Sequence, residues 1–190
     1  MVETCYRQVL RLETHAHHAR VDAALSADDI GLRYGFVRFL GIHAVCFQAM
    51  AKVAEGGSVA HRTLLQMSEN IRVDLDRLDA GHGDIAAPVA DHIDPLALDY
   101  MIEGSRLGTK ILKRKWAAST DATVRSADAY LSLHSDPRSW RDVCGQLSAV
   151  PVDSPRAATI TSDTKRLFDL FSSVAAQWDA TKQLTEEALQ

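Results

Sequence analysis

An all-α fold follows from three observations on this 190-residue chain. Apolar residues recur at helical intervals over long stretches, and strand-like alternation is scarce. Asp-Pro and Ser-Pro pairs stand where helices should open, because proline fits the first turn and a short polar side chain caps it. Hydrophobic residues make up 46% of the chain, enough for a core and too many for a disordered polymer.

The elements follow in order. From Cys5 to Leu25, Val9, Leu10, Val21 and Leu25 keep helical spacing. Ser26-Ala27-Asp28-Asp29 reads as a stop and a new cap. A second helix is expected from about Asp29 to Ala54, ending at Gly56-Gly57, with Tyr34, Val37, Leu40, Ala44 and Phe47 inward. A third should run from Ser58 to Leu78, turning Leu64, Leu65, Ile71, Leu75 and Leu78 inward. Ala80 to Pro88, with Gly81-His82-Gly83-Asp84, reads as loop. Asp94-Pro95 opens a fourth helix reaching about Trp116. Asp136-Pro137 opens a shorter one, and Ser154-Pro155 opens a terminal helix that continues through Phe168, Phe171 and Trp178. No repeat or linker divides residues 1–190, so one all-α domain is expected, its helices too uneven for a simple four-helix bundle.

Composition narrows the function classes. The net charge is −4, which does not favour a nucleic-acid partner. Arg106 with Lys110 and the run Lys113-Arg114-Lys115 are read as solvated helix faces. No apolar run approaches the roughly 20 residues of a membrane span, and Met1-Val2-Glu3-Thr4 does not begin a secretory signal. Cys5, Cys46 and Cys144 are few, odd in number and far apart, as expected of reduced thiols in a cytoplasmic protein.

One segment of the first helix carries chemistry. Around His18, Arg11 lies at i−7, Thr14 at i−4, Val21 at i+3 and Asp22 at i+4, all on one face. A neutral imidazole can bind a metal through one nitrogen while its other N–H needs an acceptor to fix the ring, and Asp22 stands one turn away to accept it. Arg11 lies roughly 10 Å along the axis in the other direction. That separation suits a cation meeting the acidic edge of a porphyrin whose iron sits on His18. Taken alone, His15, His17 and His18 are better read as helix-surface histidines, and a joint His15–His18 metal site has no further ligands to complete it.

A second segment lies on the fourth helix. Gly104 and Gly108 stand at i and i+4 inside a strong helical pattern, where each costs about 1 kcal/mol relative to alanine. Either something approaches the backbone there, or two helices pack closely through small residues. Ser105 offers a hydroxyl to such a surface or bonds back to its own helix.

With both segments in view, the chain resembles heme oxygenase, above all the bacterial biliverdin-forming type that serves bacteriophytochromes. The family's early Leu-Arg-x-x-Thr-x-x-x-His-x-x-Leu-Asp/Glu segment is matched by Leu10, Arg11, Thr14, His18 and Asp22, with Val21 in place of leucine. Its Tyr-x-x-Glu-Gly-Ser-x-Leu-Gly-Gly segment is matched by Tyr100, Glu103, Gly104, Ser105, Leu107 and Gly108, with Thr109 replacing the last glycine. The helix holding Tyr34, Phe39, Leu40, His43 and Ala44 is also similar, as is Phe168 with Phe171.

The resemblance implies heme as substrate and cofactor, between a proximal and a distal helix. His18 would be the iron ligand, oriented by Asp22, and Arg11 would meet a propionate. Gly104 and Gly108 would let the distal helix sit close over bound dioxygen, with Ser105 beside them where mammalian-type enzymes carry an aspartate. Thr14, Tyr100, Thr109, Phe168 and Phe171 would contact or line the heme site. Arg138, Arg141, Lys165 and Arg166 are available as second propionate partners. Electrons would come from an external donor such as a ferredoxin or a reductase, since the chain carries no flavin or nicotinamide fingerprint. Products would be biliverdin, ferrous iron and carbon monoxide, with a bacteriophytochrome as a recipient of biliverdin and the enzyme itself a monomer.

Two rival readings use the same residues. Ser105 and Thr109 fit a heme carrier without turnover, and a helical interaction protein would leave the histidines superficial. His43 is read as a packed core residue, and His61, His82, His92 and His134 as exposed. Trp116, Trp140 and Trp178 are read as packing residues.

Overall fold

A computed structural model describes residues 5–81, 85, 87, 92–134 and 136–187, with the backbone alone for Lys110 and 182–187. The described residues form seven helices and no strand: α1 (Tyr6–Leu25), α2 (Arg33–Val53), α3 (Val59–Arg77), α4 (Pro95–Ala117), α5 (Ala122–Ser126), α6 (Pro137–Ser148) and α7 (Pro155–Glu187). All seven contribute to one apolar core. The expectations for Met1–Thr4, for His82 and for part of the 80–88 loop lie outside the described residues.

Local chemistry sets most helix starts. Ser58 Oγ accepts from the His61 N–H, and Asp94 Oδ1 accepts from Leu96 N–H at 2.8 Å with Pro95 in the first turn. Asp136 caps α6 through the Arg138 N–H, and Ser154 caps α7 through the Ala157 N–H. The second helix departs from expectation, beginning at Arg33 rather than near Asp29. Asp29 Oδ1 instead accepts from Gly31 N–H at 2.9 Å, and the Asp29 carbonyl accepts from Leu32, so its capping chemistry closes a turn. That carbonyl presses on Gly35, where a Cβ would collide with backbone, so only glycine fits there. The short α5 was not anticipated; Asp121 caps it, and five residues carry too little periodicity to read.

Two inward assignments are corrected. Leu65 is half exposed because Leu64, Met67, Ile71 and Leu75 carry the buried face of α3. Tyr34 is exposed at the first turn of α2, ahead of the enclosed stretch. From Phe36 onward α2 is buried almost all round, so a one-sided stripe understates it. By length and composition α2 alone among the described helices could cross a membrane; 78% of its most apolar window is buried inside the protein, as in a core helix. The three thiols are free, Cys46 being buried.

Three tertiary devices order the helices. Asp74, fully buried on α3, accepts from the backbone N–H of Ala129 and Tyr130, both at 2.8 Å, and so pins the segment after α5. Asp169 on α7 joins two α1 residues, accepting from Arg20 at 2.6 Å and lying 2.8 Å from His17 Nδ1, so His17 takes part in an interhelical bridge at the surface. Arg38, 2% exposed on α2, donates to both carboxylate oxygens of Asp179 at 2.7 and 2.8 Å and to the Ala24 carbonyl at 2.9 Å.

The Arg38 pair yields a stability prediction. Asp179→Ala leaves a buried guanidinium with only Asp28, at 3.4 Å, and the Ala24 carbonyl, and is expected to cost about 2 kcal/mol in urea unfolding. Arg38→Met removes the buried charge itself and leaves two partly hydrated carboxylates, so it should cost less. An Asp179→Ala protein as stable as the parent would mean the pair contributes nothing.

Candidate functional site

The site begins with α1. Its buried face, Tyr6, Leu10, Thr14 and Val21, rests mainly against α7. Thr14 is on that face and donates its hydroxyl to the Leu10 carbonyl at 2.8 Å. It therefore packs beneath the helix and does not line an open surface. His18 lies at the edge of this face. Its Nδ1 is 2.9 Å from Asp22 Oδ2, a contact between exposed side chains one turn apart. The ring meets the edge of Phe168 on α7, centroids 5.3 Å apart and planes at 81°. One nitrogen thus lies beside a carboxylate of its own helix, the ring packs against an aromatic ring of α7, and more than half of the side chain is exposed.

The second wall comes from α4, which, like α1, packs on α6 and α7. Gly104 and Gly108 are partly buried, yet a Cβ on either would find nothing within 4 Å. Close helix–helix packing therefore does not account for these glycines. Their neighbours' hydroxyls are already committed, Ser105 Oγ donating to the Ile102 carbonyl at 2.9 Å and Thr109 Oγ1 to the Arg106 carbonyl at 2.7 Å. Arg106 is mostly enclosed, pairing with Glu103 at 2.8 Å and reaching the His134 carbonyl, which corrects its assignment to a solvated face. The Lys110 side chain lies outside the described residues.

Tyr100 lies on α4, one turn before Gly104. Its ring packs on Trp140 at 5.6 Å. Burial raises the pKa of its phenol, Cys144 adds to that, and the charges of Arg11 and Arg7 act the other way. Both arginines of α1 thus act electrostatically on Tyr100. Arg11 makes no ion pair among the described residues. Nor does Arg7, a residue the sequence reading passed over although it stands at i−4 from Arg11, on the same face. The other candidate cations are engaged: Lys165 with Glu13 at 3.1 Å, Arg166 with Asp163 at 3.3 Å, Arg138 with Asp136 at 3.4 Å, and Arg141 with the Pro137 carbonyl at 3.4 Å.

Phe171, one turn beyond Phe168, is separated from His18. It belongs to a buried aromatic group with His43, Phe47, Phe39 and Tyr130. His43 is a core residue as expected; its Nδ1 donates to the Phe39 carbonyl at 2.7 Å, and burial lowers its pKa to about 4. The tryptophans also pack as expected, Trp116 donating to the Val124 carbonyl at 2.8 Å. His92 and His134 are exposed, while His61 is half-buried against the Gly57 N–H.

No group of three or more histidine, cysteine or acidic residues could hold a bare metal ion among the described residues. A site built on His18 therefore offers one protein nitrogen, which fits a metal that brings its own equatorial ligands, as a porphyrin iron does. The uncommitted arginines near Tyr100 and the open space beside the glycines fit the acidic edge and flat face of the same group. In comparisons with known proteins, no family model matches the chain and no curated protein matches it.

Proposed function

We propose that this chain binds heme and degrades it to biliverdin, ferrous iron and carbon monoxide, using dioxygen and electrons from an external donor. The observation that carries this reading is the geometry of His18, an exposed imidazole with Nδ1 2.9 Å from the Asp22 carboxylate and Phe168 packed against its ring. Heme, when bound, supplies both the iron that activates dioxygen and the ring that is opened.

The chain's own residues orient and enclose. His18 would hold the iron, and Asp22 stands where it would align the imidazole. Arg11, joined by Arg7, would meet a propionate. Gly104 and Gly108 keep the space beside α4 clear of side chains, so backbone can approach the reacting face. Phe168 supports the imidazole, while Phe171 belongs to the buried aromatic group around His43. A ferredoxin or reductase would provide electrons, and biliverdin would pass to a bacteriophytochrome.

One observation favours a second reading, that of a heme carrier. Ser105 and Thr109 both donate their hydroxyl hydrogens to their own helix, so neither offers a proton beside the glycines. Hemin titration followed by ascorbate in air separates the two. The enzyme gives a saturable Soret band that decays to a biliverdin spectrum; a carrier gives a Soret band that persists even with a ferredoxin system. His18→Ala is expected to lose the native ligation and roughly a hundredfold or more in hemin affinity, more than loss of a supporting partner alone would cost. The absence of saturable hemin binding by the parent protein would defeat both readings.

A further inference from the structure

The C-terminal half of α4 carries a charge imbalance that the glycines do not explain. Residues 104–118 hold five cations, Arg106, Lys110, Lys113, Arg114 and Lys115, and no carboxylate, in a chain whose net charge is −4. Arg106 is spent on Glu103 and the His134 carbonyl, and Lys113 lies 3.2 Å from Ser132 Oγ, to which it donates. Arg114 and Lys115 are exposed and make no ion pair among the described residues. Cations in a last helical turn complement the helix dipole, which accounts for their sign. It does not account for their neighbour Ile111, which is 68% exposed.

Helical spacing joins these residues to the glycines. Gly104, Gly108, Ile111 and Lys115 follow at i, i+4, i+7 and i+11 and share one stripe of α4, with Arg114 one turn from Ile111. The stripe is open along its length: a Cβ on either glycine would meet nothing within 4 Å, and the isoleucine beyond them faces solvent. A single exposed isoleucine is common on any protein. One flanked by unpaired cations, on a stripe kept bare by two glycines, has the apolar centre and charged rim of a surface that takes a partner. A second copy of this chain, meeting it face to face, would set the same cations against each other. A nucleic acid would engage the cations and leave the isoleucine wet. An acidic protein with an apolar contact point satisfies both.

We infer that this stripe docks an acidic electron-carrier protein of the ferredoxin kind, with Arg114 and Lys115 meeting its carboxylates and Ile111 at the centre of the contact. The inference rests on the heme reading above, which requires an external donor. Gly108 stands one turn before Ile111, so a carrier seated there lies alongside the open face assigned to the heme. Each encounter oxidises the reduced carrier by one electron and reduces the bound ferric heme by one. Attraction between opposite charges speeds such encounters, and salt weakens it.

The test follows loss of the Soret band of the hemin-loaded protein with two donors, ascorbate and a plant-type two-iron ferredoxin kept reduced by NADPH and its reductase. The ferredoxin-driven rate of the parent should fall as salt is added. In the double variant Arg114→Glu, Lys115→Glu, the KM for ferredoxin should rise roughly tenfold or more and its salt dependence should flatten or reverse. Ile111→Ser leaves the charge alone and should raise the same KM while keeping the salt dependence. All three variants of the stripe should match the parent with ascorbate, which needs no docking. A ferredoxin KM unchanged in the double variant, or rates with both donors reduced alike, overturns the inference. If the parent does not bind hemin, the heme reading falls, and the surface is decided by titrating the ¹⁵N-labelled heme-free protein with the same ferredoxin at low salt. Amide shifts centred on residues 111–115 and lost in the double variant would uphold the docking stripe, and their absence would overturn it.

Discussion

Gly41→Ala should destabilise the protein by about 3 kcal/mol, although alanine is ordinarily the better helix former. Gly41 lies in the middle of α2, and the six-membered ring of Trp178 from α7 rests directly on it. An added Cβ would fall well inside van der Waals distance of Trp178 Cη2 and Cζ3. The indole is a rigid plate in the cleft between two helices, so it must leave its seat and expose apolar surface on both. Urea unfolding measures the loss. The mechanism predicts a change of sign in a second background. With Trp178→Ala already present, Gly41→Ala should become neutral or stabilising, by up to about 1 kcal/mol, because only helix propensity remains. A Gly41→Ala protein more stable than the parent would rule out the close approach of the indole.

The second large effect is a dependence on pH. His43 is fully buried, and burial lowers its pKa from 6.5 to about 4. Between these values the unfolded chain holds a proton on this ring and the folded protein does not. The unfolded state then binds more protons, so stability rises with pH across the window and falls as the solution is acidified. Its contribution is complete above pH 6.5 and is lost progressively down to about pH 4. At 1.36 kcal/mol per unit the loss approaches about 3 kcal/mol. His43→Leu removes the titrating group and isolates its share from that of the exposed histidines. Plotted against pH, the stability difference between parent and variant should slope through this window and flatten above it. Parallel curves for the two proteins would exclude a neutral buried imidazole.

What sequence reasoning reached was whatever is decided within a turn or two of chain. The His18–Asp22 couple is an i, i+4 relation, and the helix openings at Asp94, Asp136 and Ser154 are single-residue capping events; all are found where spacing and residue type put them. Asp29 shows the limit of this logic, since the chemistry that caps a helix also closes a turn, and only the packing of its carbonyl on Gly35 decides between them. Contacts between distant parts of the chain were not legible. The bridge from Asp169 to His17 and Arg20 spans about 150 residues, and the pairing of Arg38 with Asp179 spans 141. The place of Tyr130 is set by a carboxylate 56 residues earlier. Nothing local marks such partners, because any exposed carboxylate looks the same in sequence until the fold brings one to an arginine.

The partnership of α1 with α7 also bears on the order in which the molecule assembles. Tyr6 reaches Ala157 and Thr161, Glu13 reaches Lys165, and His17 reaches Asp169, so the two helices run side by side in the same direction at a nearly constant offset. The α2–α3 hairpin can gather its contacts across a short connection, whereas α1 finds its main partners only in the last third of the sequence. Closing so long a loop costs entropy before any contact repays it, which sets the chain apart from helical bundles built of neighbours and points to slower folding for its size. The helix that carries His18 is therefore among the last to gain a buried face.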